Sequence, residues 1–188
     1  MDDYFSLVDS TATRVALNTQ GFARIPEFLS PEICRNFIQG YSQNLLYRST
    51  INMQRFNFGS GQYRYFKYPL EERLTSLRRQ SYEFLRPVAK QWAADLKQNF
   101  QFPERYQDYL DCCHQAGQVR PTPLILRYQQ GDYNCLHQDL YGDLVFPLQL
   151  IVMLSDPAAD FTGGELVLTE QRPRMQSRAH VLNLAHGE

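Results

Sequence analysis

With 188 residues, 43% of them hydrophobic, the chain is long enough to bury one core of ordinary size, and residues 1–188 read as a single domain. Nineteen Lys and Arg against twenty Asp and Glu leave a formal charge of -1, which excludes a global field pulling the protein onto nucleic acid or an anionic membrane; such a partner needs a local patch. The opening Met1-Asp2-Asp3-Tyr4 lacks the basic start and apolar run of a secretory signal, and the most apolar stretch, Leu148 to Leu154, is far too short to cross a bilayer, so a cytoplasmic protein with no membrane partner is expected.

Gly21 to Ile25 reads as a short strand, closed by Pro26. Ser30 as N-cap, Pro31 in the first turn and Glu32 near the positive end of the dipole announce a helix running to about Leu46. From Leu70 the positions Leu74, Leu77, Phe84, Leu85, Val88, Trp92 and Leu96 recur at helical spacing, and Pro87 is expected to kink or divide that helix. A third helix over 104–116 ends at Gly117. The texture then turns to strands: Leu124 to Tyr128, Asn134 to Gln138, Phe146 to Leu154, Glu165 to Thr169, and Ala179 to Leu184, separated by turn clusters. Helices followed by successive short strands define an α+β fold. Cys34, Cys112, Cys113 and Cys135 show no C-x-x-C pair and are read as reduced, structural thiols.

His137-Gln138-Asp139 is the sharpest local feature. Residues i and i+2 of a strand share a face, so an imidazole and a carboxylate can grip one ion there. Two histidines and a carboxylate on one face of Fe(II) leave positions open for a co-substrate and O2, whereas a closed tetrahedral zinc site wants more thiolate or imidazole. Alone, such a triplet arises often by chance.

Its surroundings make it more specific. Leu126-Arg127-Tyr128-Gln129-Gln130-Gly131, then His137-Gln138-Asp139, then the apolar run ending Leu154-Ser155-Asp156, then Phe161-Thr162-Gly163-Gly164-Glu165-Leu166, resemble in that order the central run of the 2-oxoglutarate- and Fe(II)-dependent oxygenases, with a prolyl hydroxylase-like flavour. Residues 21–32 resemble the lead-in strand and helix of many such enzymes, and only about 97–120 look unfamiliar.

The resemblance implies N-terminal helices packed on a double-stranded β-helix of jelly-roll type. It also implies Fe(II) held by His137 and Asp139, 2-oxoglutarate as co-substrate, and O2-dependent hydroxylation of a C–H bond in a small molecule or a protein or peptide side chain. Tyr128 falls where family members place a tyrosine that hydrogen-bonds 2-oxoglutarate; without the resemblance it reads as a core strand residue. Gln149 shares a face with Ile151 and Met153 by period 2 and is a candidate polar contact in the pocket, though an ordinary sheet-surface glutamine fits equally well. Two alternatives stand beside the hydroxylase: a non-catalytic jelly-roll binding module, and a nucleobase demethylase, the latter disfavoured by the neutral charge balance.

The second histidine and the basic residue that pairs with the far carboxylate of 2-oxoglutarate should come from late strands. At ~5 to 6 residues per strand, the strands visible here stop short of them, so the chain is expected to be a fragment, inactive as it stands. His180 shares a strand face with Leu182 and Leu184 and reads as a satisfied structural residue, His186-Gly187-Glu188 as a turn, and the basic loop from Gln171 to Arg178 as solvated. Sheet edges left by missing strands invite pairing with a second copy.

Overall fold

A computed structural model describes residues 3–140 and 142–188. In chain order the elements are α1 (Ser10–Gln20), α2 (Pro31–Gly40), β1 (Tyr47–Asn52), β2 (Gly59–Ser60), β3 (Gln62–Phe66), α3 (Glu72–Asp95), α4 (Tyr106–Gln115), β4 (Leu124–Arg127), β5 (Tyr133–Asn134), β6 (Leu166–Glu170) and β7 (Arg178–Leu182), with 3-10 turns at Asn44–Leu46 and Met53–Phe56. They form two compact units: one spans Gln39–Leu148, the other combines Asp3–Ile38 with Gln149–Glu188.

In the first unit β3 is central to a three-stranded antiparallel sheet in the order β1-β3-β4, and β2 pairs separately with β5. Directly opposed residues share a face of the sheet, so Thr50, Arg64 and Ile125 lie on one side, and Ile51, Tyr63 and Leu126 on the other. The helical part of this unit buries Ala89, Ala93 and Phe102, with Phe100, Tyr109 and Phe146 packed against them. Tyr82 stacks on Tyr109 at 4.9 Å between centroids and donates its hydroxyl hydrogen to the Pro103 carbonyl at 2.6 Å. Two small alanines let the aromatic rings settle against the backbone of α3, and the ring pairs add to the area they bury.

In the second unit α1 is capped by Asp9, which accepts from the amides of Thr11 and Ala12 at 2.9 Å, and it ends at Gly21. Leu17, Phe28, Leu29 and Cys34 are buried there, with Phe5 leaning on Phe28. The hairpin β6-β7 pairs in register from Leu166 opposite Leu182 to Glu170 opposite Arg178. Arg24 forms a bidentate ion pair with the buried Glu188, which also accepts from the Ala185 amide at 2.9 Å; these donors hold the Glu188 carboxyl below its ordinary range.

Several expected elements are corrected. The helix beginning at Pro31 stops at Gly40, not Leu46, because Gly40 and the polar run Ser42-Gln43-Asn44 carry no apolar stripe forward. Residues 22–25 form no strand, and Pro87 lies inside α3 without dividing it. The strand expected over Asn134–Gln138 shrinks to Tyr133–Asn134, since β2, its only partner among the described residues, is two residues long. Phe146 to Leu154 runs without a ladder among the described residues, and β1, β2 and β3 form where no strand was expected. The sheets are small and antiparallel, with no closed barrel among the described residues. All four cysteines are free thiols.

Candidate functional site

The loop that carries His137 and Asp139 is positioned by the segment 53–61. Met53 accepts the amide of Phe58, and the chain then lays β2 against β5. Gly59 (φ 125°) approaches this partner so closely that a Cβ would collide with the Tyr133 carbonyl oxygen; only glycine fits both the dihedral and the gap. Gly61 does the same for the Tyr128 ring, whose Cδ1 would lie 3.0 Å from an added Cβ. The Ser60 hydroxyl donates to Asp132, whose other oxygen accepts from the Gln129 amide at 2.8 Å, closing the turn between β4 and β5. Those donors hold the Asp132 carboxyl below its ordinary value. The Cys135 amide then donates to the Phe58 carbonyl at 2.8 Å, the last backbone anchor before His137.

Beyond β5 the chain is irregular, yet the two side chains converge: His137 Nε2 lies 3.6 Å from Asp139 Oδ1, and both side chains are about half exposed. His137 Nδ1 is 2.7 Å from the Cys135 carbonyl oxygen, which can only accept, so Nδ1 carries a hydrogen and Nε2 is the ring nitrogen on the Asp139 side. Such a backbone carbonyl behind an imidazole sets the tautomer a metal ligand needs. After this pair the chain is fixed again by Gln118, whose side-chain amide bonds both the carbonyl (3.0 Å) and the amide (3.1 Å) of Leu144.

Tyr128 follows β4 in the same unit, with its ring over Gly61. Desolvation raises its hydroxyl above the ordinary phenol range against an opposing hydrogen bond with Asn134, so it remains a donor at neutral pH. Gln149 is exposed and belongs to the second unit, as do His180 and His186. His180 is taken up by Glu170 at 3.4 Å and packs edge-on against Phe22, a structural role. The loop after β6 is a turn in which Arg172 pairs with Glu170 at 2.6 Å. Among the described residues no three His, Cys, Asp or Glu side chains come together as a metal-ligating group; the structure brings His137 and Asp139 together without a third such side chain.

Phe58, Gly59, Ser60, Gly61 and Gln118 were invisible to motif reading because none carries chemistry; the one available signal was Gly-Ser-Gly, which marks close backbone approach. An imidazole and a carboxylate lie side by side here, both half open to solvent.

The chain belongs to an oxygenase family described as catalysing oxidative methylation of damaged DNA, whose profile matches residues 61–188. The match specifies an oxygenase family, not its prolyl hydroxylase-like branch. Two uncharacterized proteins from two strains of Mycobacterium tuberculosis are each 48% identical over 122 residues, covering 65% of this chain and 52% of the relative. The chain thus spans about half the length of the curated relatives it matches. No solved structure matches. Among the described residues no helix is long and apolar enough to cross a membrane.

Proposed function

We propose that this chain supplies the first two metal ligands and a co-substrate contact of an Fe(II), 2-oxoglutarate-dependent oxygenase that oxidises alkyl groups on damaged DNA, within a jelly-roll completed by further strands. The observation that carries the reading is the convergence of His137 Nε2 and Asp139 Oδ1, with Nδ1 committed to the Cys135 carbonyl. Bound between them, Fe(II) would supply O2 activation coupled to decarboxylation of 2-oxoglutarate.

The chain's own residues prepare that event. The Cys135 carbonyl keeps the His137 hydrogen on Nδ1; the anchors on Asp132 and Cys135 hold the loop in register; and Tyr128, kept protonated, offers a hydroxyl to a co-substrate carboxylate. Of the substrates considered, the family description favours DNA over a small molecule or a peptide.

The test is an anaerobic titration of Fe(II) and 2-oxoglutarate into the full-length protein that contains this chain. A weak visible charge-transfer band is expected, lost in His137→Ala and in Asp139→Ala, together with succinate formation driven by a methylated oligonucleotide. A wild-type protein without the band sinks the iron reading, and succinate formation indifferent to alkylated DNA sinks the substrate.

A further inference from the structure

The run 59–66 is paired by two separated pieces of chain. Gln62 lies opposite Arg127 at the end of β4, and Ser60 opposite Tyr133 at the start of β5, both antiparallel. The register therefore passes from one piece to the other across the single residue Gly61, while residues 128–132 loop out of it. Asp132 closes that loop by accepting from the Ser60 hydroxyl on one oxygen and from the Gln129 amide on the other. Two side chains are left at its mouth. Tyr128 enters the loop over Gly61, where an added Cβ would lie 3.0 Å from the ring Cδ1 and 3.4 Å from Cε1, and Asn134 leaves it opposite Gly59. Neither glycine carries a side chain that could stand between them.

Burial raises the Tyr128 hydroxyl above the phenol range, and its hydrogen bond with the Asn134 side chain pulls the other way. A bond that favours the ionised phenol is one that donates to its oxygen, so the Asn134 amide is the donor and Tyr128 the acceptor. A phenol has one hydrogen, and this bond does not use it. Asp132 acts on the phenol by charge alone, opposing its ionisation, because Ser60 and Gln129 already occupy both carboxylate oxygens. Among the described residues no carbonyl or carboxylate takes the Tyr128 hydrogen, and Tyr128 and Asn134 are both exposed. A donor held in orientation before its ligand arrives saves the cost of ordering it on binding.

We propose that Asn134 is a positioning residue for carboxylate recognition: by donating to the Tyr128 oxygen it turns the phenol hydrogen outward, as the donor that a carboxylate ligand meets at the mouth of this loop. This rests on the reading of Tyr128 as a co-substrate contact and adds the residue that aims it. Asn134 acts only through Tyr128 and does not itself touch the ligand. The ligand is an acceptor because what the loop offers is a hydrogen, beside a carboxylate whose own bonding is complete.

The experiment follows the Tyr128 Cζ resonance in iron-free protein carrying carbon-13 at the tyrosine Cζ positions, assigned by its absence in Tyr128→Phe. Asn134→Leu, close in shape and at an exposed position, should move the titration midpoint of that resonance to higher pH. Asn134→Gln, which keeps an amide donor, should return it toward wild type. 2-Oxoglutarate added without iron should displace the same resonance saturably, and Asn134→Leu should weaken that binding about three- to ten-fold. In a Tyr128→Phe background, Asn134→Leu should add nothing to the loss of 2-oxoglutarate affinity measured by calorimetry, since an amide that acts through the phenol has nothing left to act on. A midpoint that stays in place, a wild-type resonance indifferent to 2-oxoglutarate, equal affinity in wild type and Asn134→Leu, or an Asn134→Leu effect that persists in Tyr128→Phe each overturns the proposal. Every arm is read without iron, so the two readings fail separately. A missing charge-transfer band with a responsive Tyr128 resonance removes the iron and keeps the positioning role; a normal band with an indifferent resonance does the reverse.

Discussion

The loop bearing His137 and Asp139 and the run Phe146 to Leu154 follow closely in the chain, yet they are held by different means. The first is fixed through its backbone: β5 pairs with β2, the Cys135 amide bonds Phe58, and Asp132 closes the turn from inside. The start of the second is fixed through a side chain, with Phe146 inserted among Phe102, Tyr82 and Tyr109. Backbone anchors set position to tenths of an ångström, which a ligand pair needs; a ring in an aromatic cluster tolerates sliding.

The largest effect is expected where the side-chain anchoring is deepest. Phe102→Ala, at a site 3% exposed, should cost about 3–5 kcal/mol in urea unfolding, because the cavity opens beneath Phe146 and α3 cannot collapse into it. Fe(II) affinity measured at low denaturant should change far less, since no backbone anchor of the loop touches that cluster.

Gly59→Ala should show the opposite balance. A Cβ there meets the Tyr133 carbonyl at a dihedral that L-residues avoid, so about 2–3 kcal/mol of stability should be lost along with most metal affinity. Gly163→Ala is the control: its φ of 82° is also positive, but its nearest neighbour is the Glu165 carboxylate at 3.7 Å, and about 1 kcal/mol with no effect on metal binding is expected. Equal losses in the two variants would mean that the β2-β5 contact does not position the loop.

The smallest effect is electrostatic. The folded-state pKa of Asp132 is depressed by Ser60 and the Gln129 amide, so its contribution is complete above the ordinary carboxylate value and is lost as pH falls below it. The stability difference between wild type and Asp132→Asn should be flat from neutral pH down to about pH 5 and shrink to nothing in stronger acid. A difference that grows on acidification would reverse the assigned sign.

Amphipathic periodicity announced α3 correctly because one stripe of a helix must be buried, and Leu74, Leu77 and Val88 are. Gly117 ends α4 where expected, and β4, β6 and β7 lie within a residue or two of their sequence signals. The failures share a cause. Tyr-Arg-Ser-Thr-Ile-Asn and Gln-Tyr-Arg-Tyr-Phe look too polar for strands, but β3 finds partners on both sides, while the far more apolar Phe146 to Leu154 finds almost none; a strand is a property of a pair, and one stretch of sequence codes half of it. The approach of His137 to Asp139 was legible for a related reason: two residues apart, it needs no distant partner to be recognised. What places it does, since Phe58 and Gly59 act from more than seventy positions upstream.

The second unit carries the same dependence to its extreme. The Leu29 amide donates to the Gly187 carbonyl, the Gly187 amide to Met153, and Arg24 closes on Glu188, a partner 164 positions later in the chain. During synthesis that N-terminal segment must wait, with Leu17 and Phe28 uncovered, for more than a hundred residues to be made, a natural binding opportunity for a nascent-chain chaperone.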